Sequence, residues 1–319
     1  MRIHLTVCFL LFSLTSGFSQ QVFKKTTVLM GSVFELTLVE KDSALAHEHL
    51  QQVISEIDRI ENLISEWRPQ TQVSEVNRNA GIRPVKVDRE VLELTRRALR
   101  YSELSEGAFD ISIAAMDKLW RFDGSMTEMP AEEAIRKSVE RVGYRHIVLD
   151  SAASTIYLAI PGMKIGFGSI GKGYAADKGR ELMQALGVQG GIVNASGDLS
   201  SWGTPPGSKV WKIGVYNPFK PQKILKVLKI KEAAVATSGS YEKYTEIHGK
   251  RYSHIINPKT GYPSTGLTSV TVTGPTAEFS NALSTSVMVL GKTAGIRLLR
   301  QFPQYRYILI TDSGKVIKK

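Results

Sequence analysis

Apolar residues recur at three- and four-residue steps through Leu45, Leu50, Val53, Ile54, Ile57, Ile60, Ile64 and Trp67. That spacing predicts a long amphipathic helix, stopped before Pro69. A second helix is expected from about Asp88, placed as its N-cap, through Leu92, Thr95, Leu99 and Ser102. Shorter periodic stretches predict helices over 130–142 with Gly143 as the stop, over 174–186 closed by Gly187, and over 276–290. Residues 28–39 read as a bent strand or strand pair with Gly31 at the bend. Further strands are expected at 147–149, 155–160 and 163–167. The strand-rich second half adds 191–194, 210–215, 224–230, 233–237, 252–255, 268–273, 307–311 and 315–317. Helices and strands mix without regular βαβ alternation, which makes the class α+β. With no repeat, low-complexity stretch or long linker, residues 20–319 are read as a single large domain of mixed sheets and flanking helices.

The first nineteen residues fall outside that pattern. Arg2 precedes an apolar run over 3–14, and Gly17 and Ser19 flank a plausible cut, so 1–19 reads as a secretory signal peptide. The run is too short for a comfortable membrane span. The single cysteine, Cys8, lies inside the run and not just after it, which speaks against a lipid anchor. The exported chain would then have no disulfide, thiolate nucleophile or cysteine-ligated metal. The expected location is the periplasm or cell envelope, as a soluble protein without stable membrane insertion. The formal charge of +11 is spread as single Lys and Arg residues. The densest stretch, 220–231, alternates charged and apolar residues and reads as one solvated face of a strand, not as a nucleic-acid site. A basic balance suits an anionic ligand or an acidic protein surface and selects neither.

Candidate chemistry concentrates in Ile165-Gly-Phe-Gly-Ser-Ile-Gly-Lys-Gly-Tyr174. Gly166, Gly168, Gly171 and Gly173 let backbone approach a ligand where a Cβ would intrude, and Lys172 among them can meet negative charge. A loop of this kind entering a helix suits an anion. The spacing of Gly166, Gly168 and Gly171 imitates a dinucleotide fingerprint, but the next acidic residue after the following apolar run, Asp198, is too distant. As a phosphate-binding P-loop, the segment has Gly173 where a Ser or Thr must hold magnesium. Taken alone, the glycines fit equally a turn that packs a helix on a strand.

Four further segments join this loop: Met30-Gly-Ser-Val-Phe34; Gly107-Ala-Phe-Asp110; Thr237-Ser-Gly-Ser-Tyr-Glu242 with His254-Ile-Ile-Asn-Pro-Lys-Thr-Gly261; and Asn281-Ala-Leu-Ser-Thr285. In this order they resemble the ApbE family of flavin transferases, over essentially the whole exported chain. The resemblance implies an ApbE-like domain with a cofactor cleft between its halves. It also implies binding of FAD and magnesium, and transfer of FMN to a Thr or Ser hydroxyl of an acceptor flavoprotein, with release of AMP. Family members often serve flavoprotein subunits of membrane redox complexes. By the same resemblance, metal ligands fall at the Ser169 carbonyl, Asn281 and Thr285. Lys172 contacts the cofactor, and Met30, Trp67, Ala108, Phe109 and Asp110 line the flavin and adenine pockets. His254 is the candidate for proton handling or phosphate contact. The chemistry agrees, because breaking a phosphoanhydride requires charge to be spread over phosphate oxygens. Asn281 and Thr285, four apart on an expected helix, share a face.

Each of these residues also has a plainer reading: Met30, Trp67 and Phe109 as core, His254 as a structural hydrogen-bonder, Asn281 and Thr285 as polar residues near a helix start. Two departures stand out. The family usually has Asp where this chain has Gly166 and again where it has Asn281; Ser240 also replaces a position often acidic. Fewer carboxylates predict weaker magnesium binding. That leaves open a flavin-binding protein with little or no transfer, or a metal-dependent FAD pyrophosphatase.

Overall fold

The computed structural model describes residues 20–319; the signal expected over 1–19 lies outside the described residues. The chain opens with a hairpin, β1 (Gln21–Leu29) and β2 (Ser32–Glu40), turned by Met30 and Gly31. Both have positive φ (49° and 66°), as a two-residue type I′ turn requires. Two helices, α1 (Ser43–Ile64) and α2 (Gln72–Arg78), lead to a short strand β3 (Val85–Lys86) and to α3 (Arg89–Leu104). After a 3₁₀ turn at Ile111–Ala115 come α4 (Glu132–Ser138), β4 (Ile147–Asp150), β5 (Thr155–Leu158) and α5 (Gly171–Ala185). The second half holds β6 (Gly190–Ala195), β7 (Asp198–Trp202), β8 (Trp211–Asn217), β9 (Lys220–Ile230), β10 (Ala233–Gly239), β11 (Tyr244–Ile247), β12 (Lys250–Ser253) and β13 (Leu267–Gly274). It ends with α6 (Ala277–Arg300), β14 (Arg306–Thr311) and β15 (Val316–Lys318).

The main sheet has eight strands in the order β1-β2-β6-β7-β10-β13-β14-β15, every neighbouring pair antiparallel. Against it the apolar stripe of α1 (Leu50, Val53, Ile57, Ile60, Ile64) packs with Phe34, Leu36 and Leu38 of β2, Ala175, Ala176 and Met183 of α5, and Val193 of β6. Fully burying each such large side chain stabilises the fold by about 1.5–3 kcal/mol. A second cluster joins Leu267, Val270 and Val272 of β13 to Leu283, Val287 and Met288 of α6. The two cores hold α5 and α6 on the same sheet, and that places the site.

Several elements differ from the sequence expectation. The first helix ends at Ile64, so Trp67 stands in the following loop, 73% exposed. Residues 163–167 form no strand. Ile165 exchanges backbone bonds with the Asn77 amide (2.8 and 2.9 Å), and the Gly166 N–H donates to the Ile111 carbonyl (3.0 Å). The fourth periodic stretch becomes helical at Gly171, three residues early. The 130–142 helix shrinks to Glu132–Ser138. The helix expected to stop at 290 continues to Arg300 after a break at Gly291 (φ 73°). On β9 the lysines are solvated as expected, but Ile224 and Val227 are exposed as well, so that strand lacks a clean two-residue alternation.

Candidate active site

The glycine segment enters the cleft as irregular backbone and turns directly into α5. Ile170 and Gly171 both donate to the Phe167 carbonyl (3.1 and 2.6 Å), and no side chain caps the helix. Its N-terminal N–H groups and the Lys172 side chain thus face the same space, a favourable site for an anion. The four glycines serve different ends. A Cβ on Gly168 would meet nothing within 4 Å, because it would point into the cleft. On Gly171 it would press on Ile64 Cδ1 at 3.1 Å, and on Gly173 it would run into the Ala277 carbonyl at 2.7 Å, where α5 passes the start of α6. On Gly166 it would lie within the carboxylate of Glu66.

Lys172, His254 and Thr285 line one cavity of about 280 Å³ together with Gly168, Ser169, Asp198, Ser238 and Asn281. Asn281 is buried on α6 and donates its amide N–H to Asp198, while its Oδ1 accepts from the Thr285 hydroxyl at 3.4 Å. Asp198 comes from the start of β7. Burial pushes its carboxyl up to about 7, against the opposing pull of the Lys172 charge and the Asn281 amide. Ser238 on β10 reaches both Ser284 (2.8 Å) and Thr285 (3.3 Å), which fixes the facing sides of α6 and the sheet. Among the described residues no group of three or more His, Cys, Asp or Glu side chains is placed to hold a metal. A cation here would draw on the Ser169 carbonyl, Asn281 Oδ1, Thr285 Oγ1 and one carboxylate, Asp198. Those are hard oxygen donors of the kind magnesium accepts.

His254 is half-buried, with Nδ1 3.0 Å from the Lys243 carbonyl. A carbonyl can only accept, so Nδ1 carries the proton and Nε2 is left as an acceptor. Burial holds the imidazole below its ordinary range, and the Lys243 and Lys172 charges push the same way.

Two larger clefts open from this cavity. One, about 640 Å³, runs past Gly168 and Lys172 to Met30, Glu61, Ile64, Trp67, Arg68 and Lys243. The other, about 760 Å³, runs past His254 and Ile256 to Ile113, Trp120, Phe122, Lys118 and Trp67. Trp67 lies on both, with the Lys118 ammonium 4.7 Å over its ring, and has a face free to stack on a flat heterocycle. Met30, in its positive-φ turn, is held by a bond from its N–H to Glu61 (3.1 Å) and faces Gly171.

The structure keeps Ala108, Phe109 and Asp110 out of these three clefts. Ala108 and Phe109 are buried. Asp110 accepts from the Ser112 N–H (2.8 Å) and hydroxyl (2.6 Å) and from the Tyr144 N–H (2.8 Å), capping the 3₁₀ turn that supports Gly166; it lines a separate cavity of about 290 Å³ with Gly107, Tyr144 and Lys259. Sequence reasoning did not single out Glu66 or Asp198 for the site, and a lone acidic residue in a polar stretch carries no signal of its own.

The ApbE family model matches residues 30–309. The chain belongs to the ApbE family. It is 33% identical over 299 residues to an FAD:protein FMN transferase of Klebsiella pneumoniae, covering 93% of this chain and 92% of that one. Against the FAD:protein FMN transferase of Treponema pallidum it is 31% identical over 333 residues, covering 99% and 92%. The ApbE protein of Thermotoga maritima superposes with a TM-score of 0.85 at 28% identity, covering 94% of this chain and 97% of that one. The apo form of the Pseudomonas stutzeri flavinyl transferase ApbE gives 0.82 at 28% identity, with 95% of each chain covered. The sheet and helices that hold this ApbE site together are therefore those of the family.

Proposed function

We infer that this chain is an FAD:protein FMN transferase: it moves FMN from FAD to a Thr or Ser hydroxyl of an acceptor flavoprotein and releases AMP. The observation that carries the reading is the convergence of Lys172, His254 and Thr285 on one cavity at the head of α5. The FAD diphosphate lies against the α5 N-terminus and Lys172, with the flavin or adenine ring reaching Trp67 in an adjoining cleft. His254 Nε2 takes the proton of the acceptor hydroxyl as its oxygen attacks the FMN-side phosphorus. The phosphorus–oxygen bond to AMP breaks, and AMP leaves with the electron pair. Magnesium bound at Ser169, Asn281 and Thr285 would neutralise charge on the departing phosphate. Asp198 beside Asn281 supports that use, because it brings a carboxyl group next to the amide, and a bound cation would favour its ionised form against burial.

The exported location, in the periplasm or cell envelope, rests on the N-terminal pattern. No described helix is long and apolar enough to cross a membrane. An acceptor in a membrane redox complex fits that placement. The deciding experiment incubates the chain with FAD, magnesium and a Thr- or Ser-bearing flavoprotein acceptor, with a chelator control. The expected result is covalent FMN on the acceptor and one AMP per adduct. Free FMN and AMP without adduct would make it a pyrophosphatase, and bound FAD without AMP a flavin-binding protein.

A further inference from the structure

Glu66 follows the end of α1 by two residues and points back over the glycine segment, so that its carboxylate fills the space where a Cβ of Gly166 would go. Gly166 does not have the left-handed backbone that favours glycine; it is absent from the positive-φ glycines. Glycine is required there for room, and the room is taken by Glu66. The carboxylate lies on the border of two clefts, lining both the 640 Å³ space with Lys172 and the 760 Å³ space with His254. Among the described residues no cationic side chain pairs with it; the Phe167 N–H and its own backbone N–H favour the charged form, against burial. A half-buried carboxylate with no cation beside it is a costly arrangement unless a donor arrives with the ligand.

We propose that Glu66 is a substrate-binding residue that accepts a hydrogen bond from a hydroxyl of the FAD sugar chain, delivered from the α1–α2 loop into the space that a side chain at position 166 would otherwise occupy. The inference rests on the FAD reading above. A dinucleotide has two sources of such a hydroxyl, the ribityl chain of the FMN half and the ribose of the AMP half. Both present alcohols near the diphosphate, and a carboxylate accepts from either in a charge-assisted bond.

The geometry makes a reciprocal prediction. Gly166→Asp in the wild-type background forces two carboxylates into one space, so it lowers the Tm and weakens FAD binding. Glu66→Ala vacates the space and weakens FAD by about tenfold or more, the usual scale for losing a charged hydrogen bond. Combining the two, Glu66→Ala with Gly166→Asp, restores both the Tm and most of the FAD affinity, because the carboxylate returns from the other backbone. Glu66→Gln keeps the volume without the charge, and it should raise the KM for FAD with little change in kcat.

The measurement is an FAD titration by flavin fluorescence on the full exported chain, with FMN and ADP as separate probes and thermal melts in parallel. A Glu66→Ala loss seen also with FMN assigns the hydroxyl to the ribityl chain; one seen also with ADP assigns it to the ribose. Either supports the proposal. Wild-type FAD affinity in Glu66→Ala, or a double variant no better than Gly166→Asp alone, overturns it. Wild-type binding of FAD is the control: if it fails, the FAD reading itself falls, and the two failures are told apart.

Discussion

An imidazole whose Nδ1–H is committed to the Lys243 carbonyl offers its other nitrogen only as an acceptor, and a general base needs that nitrogen unprotonated at working pH. Burial and the two nearby lysines hold His254 below the ordinary histidine value, so protonation sets in at lower pH than for a free imidazole. The acid limb of kcat/KM is therefore expected below pH about 6.5. A pH–rate profile of the wild type checks this, and a limb at or above that value would remove His254 as the base. His254→Ala should cost about a hundredfold or more in kcat, with a much smaller change in FAD affinity. His254 and Lys172 were readable in the sequence because each sits in a dense local motif. Glu66 and Asp198 were not, since what gives them meaning is a partner far along the chain. Asn281, for one, is 83 positions from Asp198. A sequence that records an Asp replaced by Asn or Gly does not record which distant carboxylate lies beside it.

The helices that carry the site are joined by one buried side chain. Asp177 on α5 accepts from the N–H groups of Ala277 and Glu278 (both 2.9 Å) and from the Ser200 hydroxyl (2.8 Å), and so caps an α6 start where Thr276 makes no side-chain cap. Lys172 lies one and a half turns before Asp177, and Asn281 one turn past the capped residues, so the cap fixes the distance between the phosphate loop and the residues assigned to the metal. Asp177→Ala strands two buried N–H donors and should destabilise the fold by about 2–4 kcal/mol. Denaturant melts would read that loss, and the same variant should need more magnesium for transfer. Wild-type stability would mean water takes over the cap. At this level the sequence disclosed helix interiors better than their ends. The apolar stripe of α1 is periodic and local, but Gly171 and Gly173 disguised the first turn of α5, since glycine disfavours a helix interior. The helix expected to end at 290 likewise resumes beyond the break at Gly291.

Over the whole molecule, class was legible and strand order was not. Alternation and periodicity suffice for α+β, whereas pairing β2 with β6, or β7 with β10, is decided by contacts between distant segments. Net charge is likewise a whole-chain quantity, and it bears on how a dianionic dinucleotide finds the cleft. The formal charge is +11, Arg2 being the only charged residue among the first nineteen. Within the larger clefts, Arg68, Lys172, Lys243, Arg78, Lys118 and Lys164 are partly offset by Glu61, Glu66 and Asp117. Positive clefts in a positive molecule raise the arrival rate of anions, and salt removes the benefit over about 10 Å at 0.1 M. Stopped-flow association of FAD should slow severalfold as ionic strength rises from about 0.02 to about 0.5 M, a range that spans strong and weak screening. Riboflavin, which has the ring and ribityl chain without phosphate, should associate at a rate nearly independent of salt. If FAD shares that indifference, the three acidic side chains cancel the field where it matters, and capture depends on contacts made only after the ligand has entered.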